Sequence, residues 1–368
     1  MGGMRLVCQF STAKMLPSRM PLVPSSAIFF GVKMNKIGPI SGLVLLGGGQ
    51  LLRQLALWSK ERSIPVKVIT APRHAKEEEY GSTLEQFLIE YRIETLIVED
   101  ISSDGVKEFV GDPDEKFMLS LGAAWIFKKA VIKKTFNNKL LNLHGTCLPK
   151  NRGGGGLSWK IMMGDRVGNC LIHIVDSGID TGSILRFEDY VFPPSVRIPL
   201  DYQAVSLQRN FSFVTNLIEE CFVGAINVKQ TSQPEYLSTY WPRLNTDLNG
   251  WIDWRWSAPQ LEKFICAFDD PYPGARTFLG ETKVRIKKTS VTSLEDSYHP
   301  FQYGLIYRTK SDCCFVATKA GSLIIESVLD ESGKEIIHKV RVGDRFSTPC
   351  CHLETAMFRP VYTPLGLK

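Results

Sequence analysis

The stretch 43-LVLLGGGQLLRQLALWSKER-62 opens as a β-type apolar run, breaks at three glycines and continues as a helical stretch. The alternation repeats downstream. Apolar runs recur at 66-VKVIT-70, 95-TLIV-98, 117-FMLSL-121, 140-LLNLH-144 and 171-LIHIVD-176, with a second helical stretch at 82-STLEQFLIEYR-92. Strand and helix in turn predict an α/β fold built on a mostly parallel sheet with helices on its faces. A long amphipathic helix over roughly 202–224 follows the last of these units.

The glycines of that first stretch imitate a dinucleotide fingerprint. Gly47 and Gly49 are present, but Leu52 stands where a third glycine belongs, and no Asp or Glu ends the next run near Thr70 to hold a ribose. Nicotinamide binding is therefore not supported. Near 241-WPRLNTDLNGWIDW-254 the composition changes. One helix at about 257–268 leads into short β-type runs at 275–279, 282–289, 303–307, 313–317 and 321–328, which read as a small, mostly β second domain. The expected organisation is a basic N-terminal extension over 1–40 that could be disordered, a catalytic domain over 41–240 and the small domain over 241–368.

Charge and cysteine usage exclude several function classes. The net charge of +6 suggests nucleic acid, but the first 60 residues hold seven of the 44 basic residues and none of the 38 acids. The rest of the chain carries one net negative charge, so no phosphate-backbone footprint is expected. The first forty residues suit a transit peptide, or an upstream start with Met34 nearer the true beginning. The second is preferred, because no continuous apolar core precedes a small-residue cleavage site. Nine cysteines without a CxxC pair predict reduced thiols, a cytoplasmic location and no metal site. No apolar run approaches the roughly 18 residues of a membrane helix.

Chemistry concentrates in 142-NLHGTCLPKNRGGGG-156. Asn142 and His144, two apart on a strand, share one face. Their side chains offer an amide donor and a proton carrier that is tunable near neutral pH. The Leu148–Pro149 turn and the glycines 153–156 follow, opening a helix at 157–164. Bare backbone there can approach a ligand closely or cradle a phosphate, and a flexible surface loop is the plain alternative. In 176-DSGIDTG-182, Asp180 sits on a tight turn after a strand expected to lie beside that of Asn142 and His144. A carboxylate in that place can orient an imidazole. His173 reads as a structural strand residue.

Taken together, the N-x-H pair, the Leu-Pro turn, the basic glycine loop and the D-x-G turn some 36 residues after the histidine resemble the folate-dependent formyltransferases. Two further segments agree. The segment 117-FMLSLGAAWIFKKAVI-132 looks like their pterin-lining strand and loop. The segment 252-IDWRWSAPQLEKFICAFDDPYPGARTFLGETKVRI-286 is similar to the start of their second domain. The resemblance covers roughly 42–345. It implies a Rossmann-like formyltransferase fold with an OB-like C-terminal domain, and 10-formyltetrahydrofolate as formyl donor. It also implies Asn142, His144 and Asp180 as catalytic trio. Ser120, Leu121, Gly122, Ala123, Ile179 and Asp180 would then contact the folate, and Lys150, Arg152, Gly153, Gly154 and Gly155 the acceptor. An amine attacks the formyl carbon; Asn142 and a protonated His144 could donate to the oxygen on which charge develops, and His144 with Asp180 could relay the amine proton.

Within that family the acceptor is the open question. Residues 245–368 hold 16 basic against 15 acidic residues, which gives little support to a tRNA partner. The sequence "HGT" after Leu143, the "DDPYPGA" junction and the four glycines look closer to the nucleotide-sugar N-formyltransferases. The resemblance therefore implies a nucleotide-linked 4-amino-4,6-dideoxyhexose for lipopolysaccharide O-antigen. GDP-perosamine is the first expectation and dTDP-linked sugars the next; methionyl-tRNA formyltransferase is the alternative. A homodimer is expected by the same resemblance, with 251-WIDWRW-256 as a segment that could cover a partner.

Overall fold

The structure is a computed structural model that describes residues 33–292 and 297–367. Most of the expected basic extension, residues 1–32, lies outside them. Residues 33–368 form one compact unit. At its start the strand Lys33–Ile37 pairs antiparallel with Ile226–Gln230, so that part of the expected extension is held by backbone hydrogen bonds.

The centre is a seven-stranded sheet. Its strands run in the order Ile184–Val191, Val167–Ile174, Leu141–His144, Lys116–Leu121, Gly42–Gly47, Val66–Thr70, Glu94–Ile97. The last five are mutually parallel, and the first two are added antiparallel at one edge. Side chains alternate across such a sheet, and covering both faces makes its strands apolar throughout. The strand Gly42–Gly47 shows this: Leu43 and Leu45 enter one core, Val44 and Leu46 the other. The helix Gln50–Glu61 buries Leu52, Leu55, Ala56 and Ser59. These follow the three- and four-residue spacing of one helical face. The helix Pro199–Val223 lies on the same core through Phe213, Val214, Leu217 and Ile218.

A second sheet of six strands is wholly antiparallel, in the order Ile306–Thr309, Cys314–Ala317, Ser322–Leu329, Thr282–Thr292, Ala275–Leu279, Phe346–Ser347. The fold is thus the mixed α/β arrangement expected, a mostly parallel sheet joined to a smaller β unit. The helix Ala258–Ala267 joins the two, since Ser158 donates to Ala267 O at 2.8 Å and Leu261 and Ile265 are fully buried. Trp251 and Trp254 do not wait for a partner. They are 5% and 6% exposed. Trp251 stacks on His352 and Trp254 on Phe346, and the Trp254 indole donates to Thr277 Oγ1 at 2.9 Å. Among the described residues no helix is long and apolar enough to cross a membrane.

Candidate active site

Strand order reverses between Gly42–Gly47 and Lys116–Leu121. From the former the chain steps outward to Val66–Thr70 and Glu94–Ile97, then returns to the latter on the other side. Loops leaving the carboxyl ends of two such strands diverge and open a crevice. Two cavities occupy it. One of about 370 Å³ is lined by Trp125, Phe127, Val175 and Ile179 with Asn142, His144, His173 and Asp180. One of about 600 Å³ is lined by Gly48, Gly49, His74, Ser158, Arg243 and Tyr272. They share Gly122, Gly154, Arg243 and Tyr362.

Asn142 and His144 are alternate residues of one strand, and antiparallel pairing sets His173 directly opposite Asn142. The His173 Nδ1 lies 2.9 Å from Ile174 O, a group that only accepts, so the ring hydrogen sits there. Nε2 of the same ring is then an acceptor, and Asn142 Nδ2 donates to it at 3.0 Å. That bond fixes which end of the Asn142 amide is nitrogen and leaves its second hydrogen for a ligand. Asp180 holds a left-handed φ of 52° on the next turn. Its Oδ2 accepts the Gly153 N–H at 2.8 Å and lies 3.7 Å from His144 Nδ1. Its Oδ1 lies 3.6 Å from His173 Nε2, close enough for electrostatic influence but too long for a hydrogen bond. Gln233 clamps the turn by donating to the carbonyls of Asp180 and Gly182 at 2.9 and 2.6 Å.

Burial is the largest influence on His144 and pushes its pKa below the ordinary 6.5, with His173 adding to the effect and Asp180 opposing it. The resting ring is therefore neutral at pH 7. Asp180 Oδ2, at 3.7 Å, is too far for a hydrogen bond with Nδ1, but its charge favours the hydrogen on that nitrogen and a lone pair on Nε2. Nε2 is buried and has no hydrogen-bond partner among the described residues. Burial alone would raise the Asp180 carboxyl. The neighbouring His173 and His144 rings and the Gly153 N–H outweigh it and hold the pKa below the usual carboxylate value.

The other expected contacts divide. Ser120, Gly122, Ala123 and Ile179 line the smaller cavity and Leu121 the larger. Gly153 and Gly154 line the smaller cavity, Gly154 and Gly155 the larger. Lys150 is exposed and lines neither. Arg152 is 6% exposed and its guanidinium turns away from both cavities, to Glu235 at 2.8 Å and to Gln233 Oε1 at 3.2 and 3.3 Å. It anchors the loop.

The glycines are no free cradle either. Residues 152–153 pair in parallel with Tyr240–Trp241. At Gly153, φ is 99° and a Cβ would lie 2.4 Å from Trp241 O. Backbone packing against 240–244 demands glycine here, and that demand has no local sequence signal. His173, read from sequence as structural, is part of the site. Its alternation with Ile172 and Ile174 was the available signal, and the partner opposite it was not. Arg73, Arg243 and Tyr362 also line the cavities from distant segments. Among the described residues no group of His, Cys, Asp and Glu could hold a metal ion.

Known proteins agree with this fold. The sequence profile described as "Formyl transferase" matches residues 116–192, and "Formyl transferase, C-terminal domain" matches 246–340. These two segments are thus similar to the two domains of formyl transferases. It is 32% identical over 211 residues to a methionyl-tRNA formyltransferase of Thermodesulfovibrio yellowstonii, covering 56% of this chain and 63% of that one. It is 27% identical over 214 residues to the enzyme of that name from Acetivibrio thermocellus, covering 55% and 66%. The match thus takes in under two thirds of either relative.

Among solved structures, WlaRD, a sugar 3N-formyl transferase crystallised with dTDP and 5-N-formyl-THF, superposes with a TM-score of 0.59. The identity is 16%, and 78% of this chain and 97% of that one are covered. An N-formyltransferase from Helicobacter canadensis, in complex with folinic acid and dTDP-3-aminofucose, gives 0.58 at 16% identity, with 78% and 99% covered. At that identity the likeness is one of fold.

Proposed function

We propose that this chain transfers the formyl group of 10-formyltetrahydrofolate to the amine of a nucleotide-linked amino sugar. The observation that carries the transfer chemistry is the buried and unpartnered Nε2 of His144, on a ring close to Asp180 at an aromatic-walled cavity that Asn142 also lines. The folate supplies the formyl carbon, and the Trp125 and Phe127 walls suit a flat heterocycle of its size.

As the acceptor amine bonds to that carbon, the free hydrogen on Asn142 Nδ2 meets the oxygen on which charge develops, an interaction worth about 3–4 kcal/mol for one well-placed donor. His144 Nε2 takes the proton that the amine sheds. Asp180, facing Nδ1, fixes the tautomer and stabilises the imidazolium formed. When the carbon–nitrogen bond to the donor breaks, the same proton passes from Nε2 to the departing nitrogen, and the ring returns to its neutral state.

The balanced charge of 245–368 favours a sugar acceptor, as do the dTDP and dTDP-3-aminofucose carried by the two solved relatives. A panel headed by GDP-perosamine, with dTDP-linked amino sugars next, tests the reading through released tetrahydrofolate and an added formyl mass on the sugar. Turnover of one sugar, lost in His144→Asn, is the expected result. The names of the curated relatives favour a second reading, formylation of initiator methionyl-tRNA. Turnover of charged tRNA with no sugar accepted would install that reading instead.

A further inference from the structure

Neither Arg152 nor Gln233 lines either cavity, yet both bear on the turn that carries Asp180. Arg152 Nε and Nη2 donate to Gln233 Oε1 at 3.3 and 3.2 Å, while Nη1 donates to Glu235 Oε2 at 2.8 Å. A guanidinium only donates, so the oxygen end of the Gln233 amide faces it and the nitrogen end faces the turn. There Nε2 donates to Asp180 O at 2.9 Å and to Gly182 O at 2.6 Å. The residue after Arg152 closes the circuit, because the Gly153 N–H donates to Asp180 Oδ2 at 2.8 Å. One dipeptide, Arg152–Gly153, thus holds Asp180 twice: by its carbonyl through Gln233, and by its carboxylate directly. The hold has something to resist. Asp180 keeps a φ of 52°, a left-handed conformation that a non-glycine residue retains only where its surroundings impose it.

The rings beside Asp180 do not hold it. Its oxygens lie 3.7 Å from His144 Nδ1 and 3.6 Å from His173 Nε2, beyond hydrogen-bond reach. The other charged or titratable groups facing His144 are fixed independently of the turn. His173 is held by Asn142 and Ile174 O, and Lys160 by Asp165, Asn169 and Val167 O. Burial, His173 and Lys160 lower the His144 pKa, whereas Asp180 and the Asn151 backbone raise it. A slack turn therefore removes influences that favour the imidazolium and leaves those that oppose it.

We propose that Gln233 and Arg152 are positioning residues for the transfer step, acting through Asp180 to keep its carboxylate beside the His144 ring. The step itself rests on the formyl-transfer reading above; the hold on Asp180 does not. Gln233→Leu removes both bonds to the turn, and kcat is expected to fall about 10²-fold, the cost of a small misplacement at the reacting centre. Affinity for 5-formyltetrahydrofolate should stay unchanged. The acid limb of kcat/KM should move to lower pH. So should the His144 titration, followed by NMR in the full chain without substrate and assigned with His144→Asn. Gln233→Glu keeps the size and the pairing with Arg152 but offers no hydrogens to the two carbonyls, and should behave like Gln233→Leu. Arg152→Met should do likewise, and Arg152→Lys, with one donor left for Oε1, should recover part of the rate. Because the two residues act in series, adding Arg152→Met to Gln233→Leu should cost no further rate.

An unchanged His144 titration in folded Gln233→Leu or Gln233→Glu overturns the proposal, since a role confined to stability would lower the melting temperature and leave that titration in place. Additive losses in the double variant overturn it too, as does a rate loss accounted for by weaker folate binding alone. A lowered titration in these variants, with no acceptor formylated by the unaltered protein, supports the hold on Asp180 and removes the transfer reaction alone.

Discussion

His144 and Asn142 can be told apart by what each loses on substitution. His144→Asn removes the proton acceptor at Nε2 and is expected to lower kcat by about 10²- to 10⁴-fold, the usual worth of a general base. Folate affinity should hold, because the ring is one wall residue among many; a titration with 5-formyltetrahydrofolate beside the rate measurement separates the two. The burial that depresses the His144 pKa also gives a pH dependence with a definite sign. As pH falls through the depressed value, Nε2 gains a proton and can no longer accept one from the amine. The acid limb of kcat/KM should therefore have its midpoint below 6.5, and a midpoint at or above 6.5 contradicts a neutral resting ring. Both residues were legible in the sequence because a spacing of two on a strand is a local rule. His173 was not, since only the antiparallel register between Leu141–His144 and Val167–Ile174 sets it against Asn142.

The loop 152–156 and the turn carrying Asp180 act as one element. Gly153 supplies the N–H that holds Asp180 Oδ2, and its own conformation is held by pairing with Tyr240–Trp241. Gly153→Ala meets both a φ of 99° and a 2.4 Å approach to Trp241 O. It is expected to cost about 2 kcal/mol or more of stability. Because the loop must move to relieve the clash, kcat should fall too. Urea unfolding and steady-state rates on the same preparation check both, and an unchanged rate would show that Asp180 does not depend on this bond. The sequence marked the loop as important through its bare backbone, which reads alike whether it faces a ligand or another stretch of chain; here Gly153 packs on Trp241, and Gly153, Gly154 and Gly155 also line the cavities. The edge strand Ile184–Val191 was missed for a related reason: charged Arg186, Glu188 and Asp189 interrupt its apolar residues.

Across the molecule, a single core runs from Leu43 and Leu55 through Phe213 and Leu217 to Leu261, Ile265, Ile286 and Val328, and so joins the two sheets. The cavity at His144 draws on residues as far apart in the chain as Arg73 and Tyr362. Calorimetry should therefore show one cooperative unfolding transition shared by the two sheets. Ile265→Ala, which empties a fully buried position on the connecting helix, should cost about 2–5 kcal/mol and lower that transition as a whole. Two resolved transitions, with only one moved by the substitution, would show that the sheets unfold independently.

The sequence alone determined what depends on neighbours along the chain. The repeating strand and helix units, the change to short β runs after 241, and the shared face of Asn142 and His144 all follow from local periodicity. The parallel sheet follows from that alternation in turn, because a helix between two strands requires a crossover. Tertiary structure decided what depends on residues far apart in the chain. It set His173 against Asn142, turned Arg152 away to Glu235, buried Trp251 and Trp254, and packed residues 240–244 against the glycine loop. It also brought Arg73, Arg243 and Tyr362 around one cavity. No spacing rule links positions 73, 243 and 362; only the closing of the fold sets two guanidiniums against one ring.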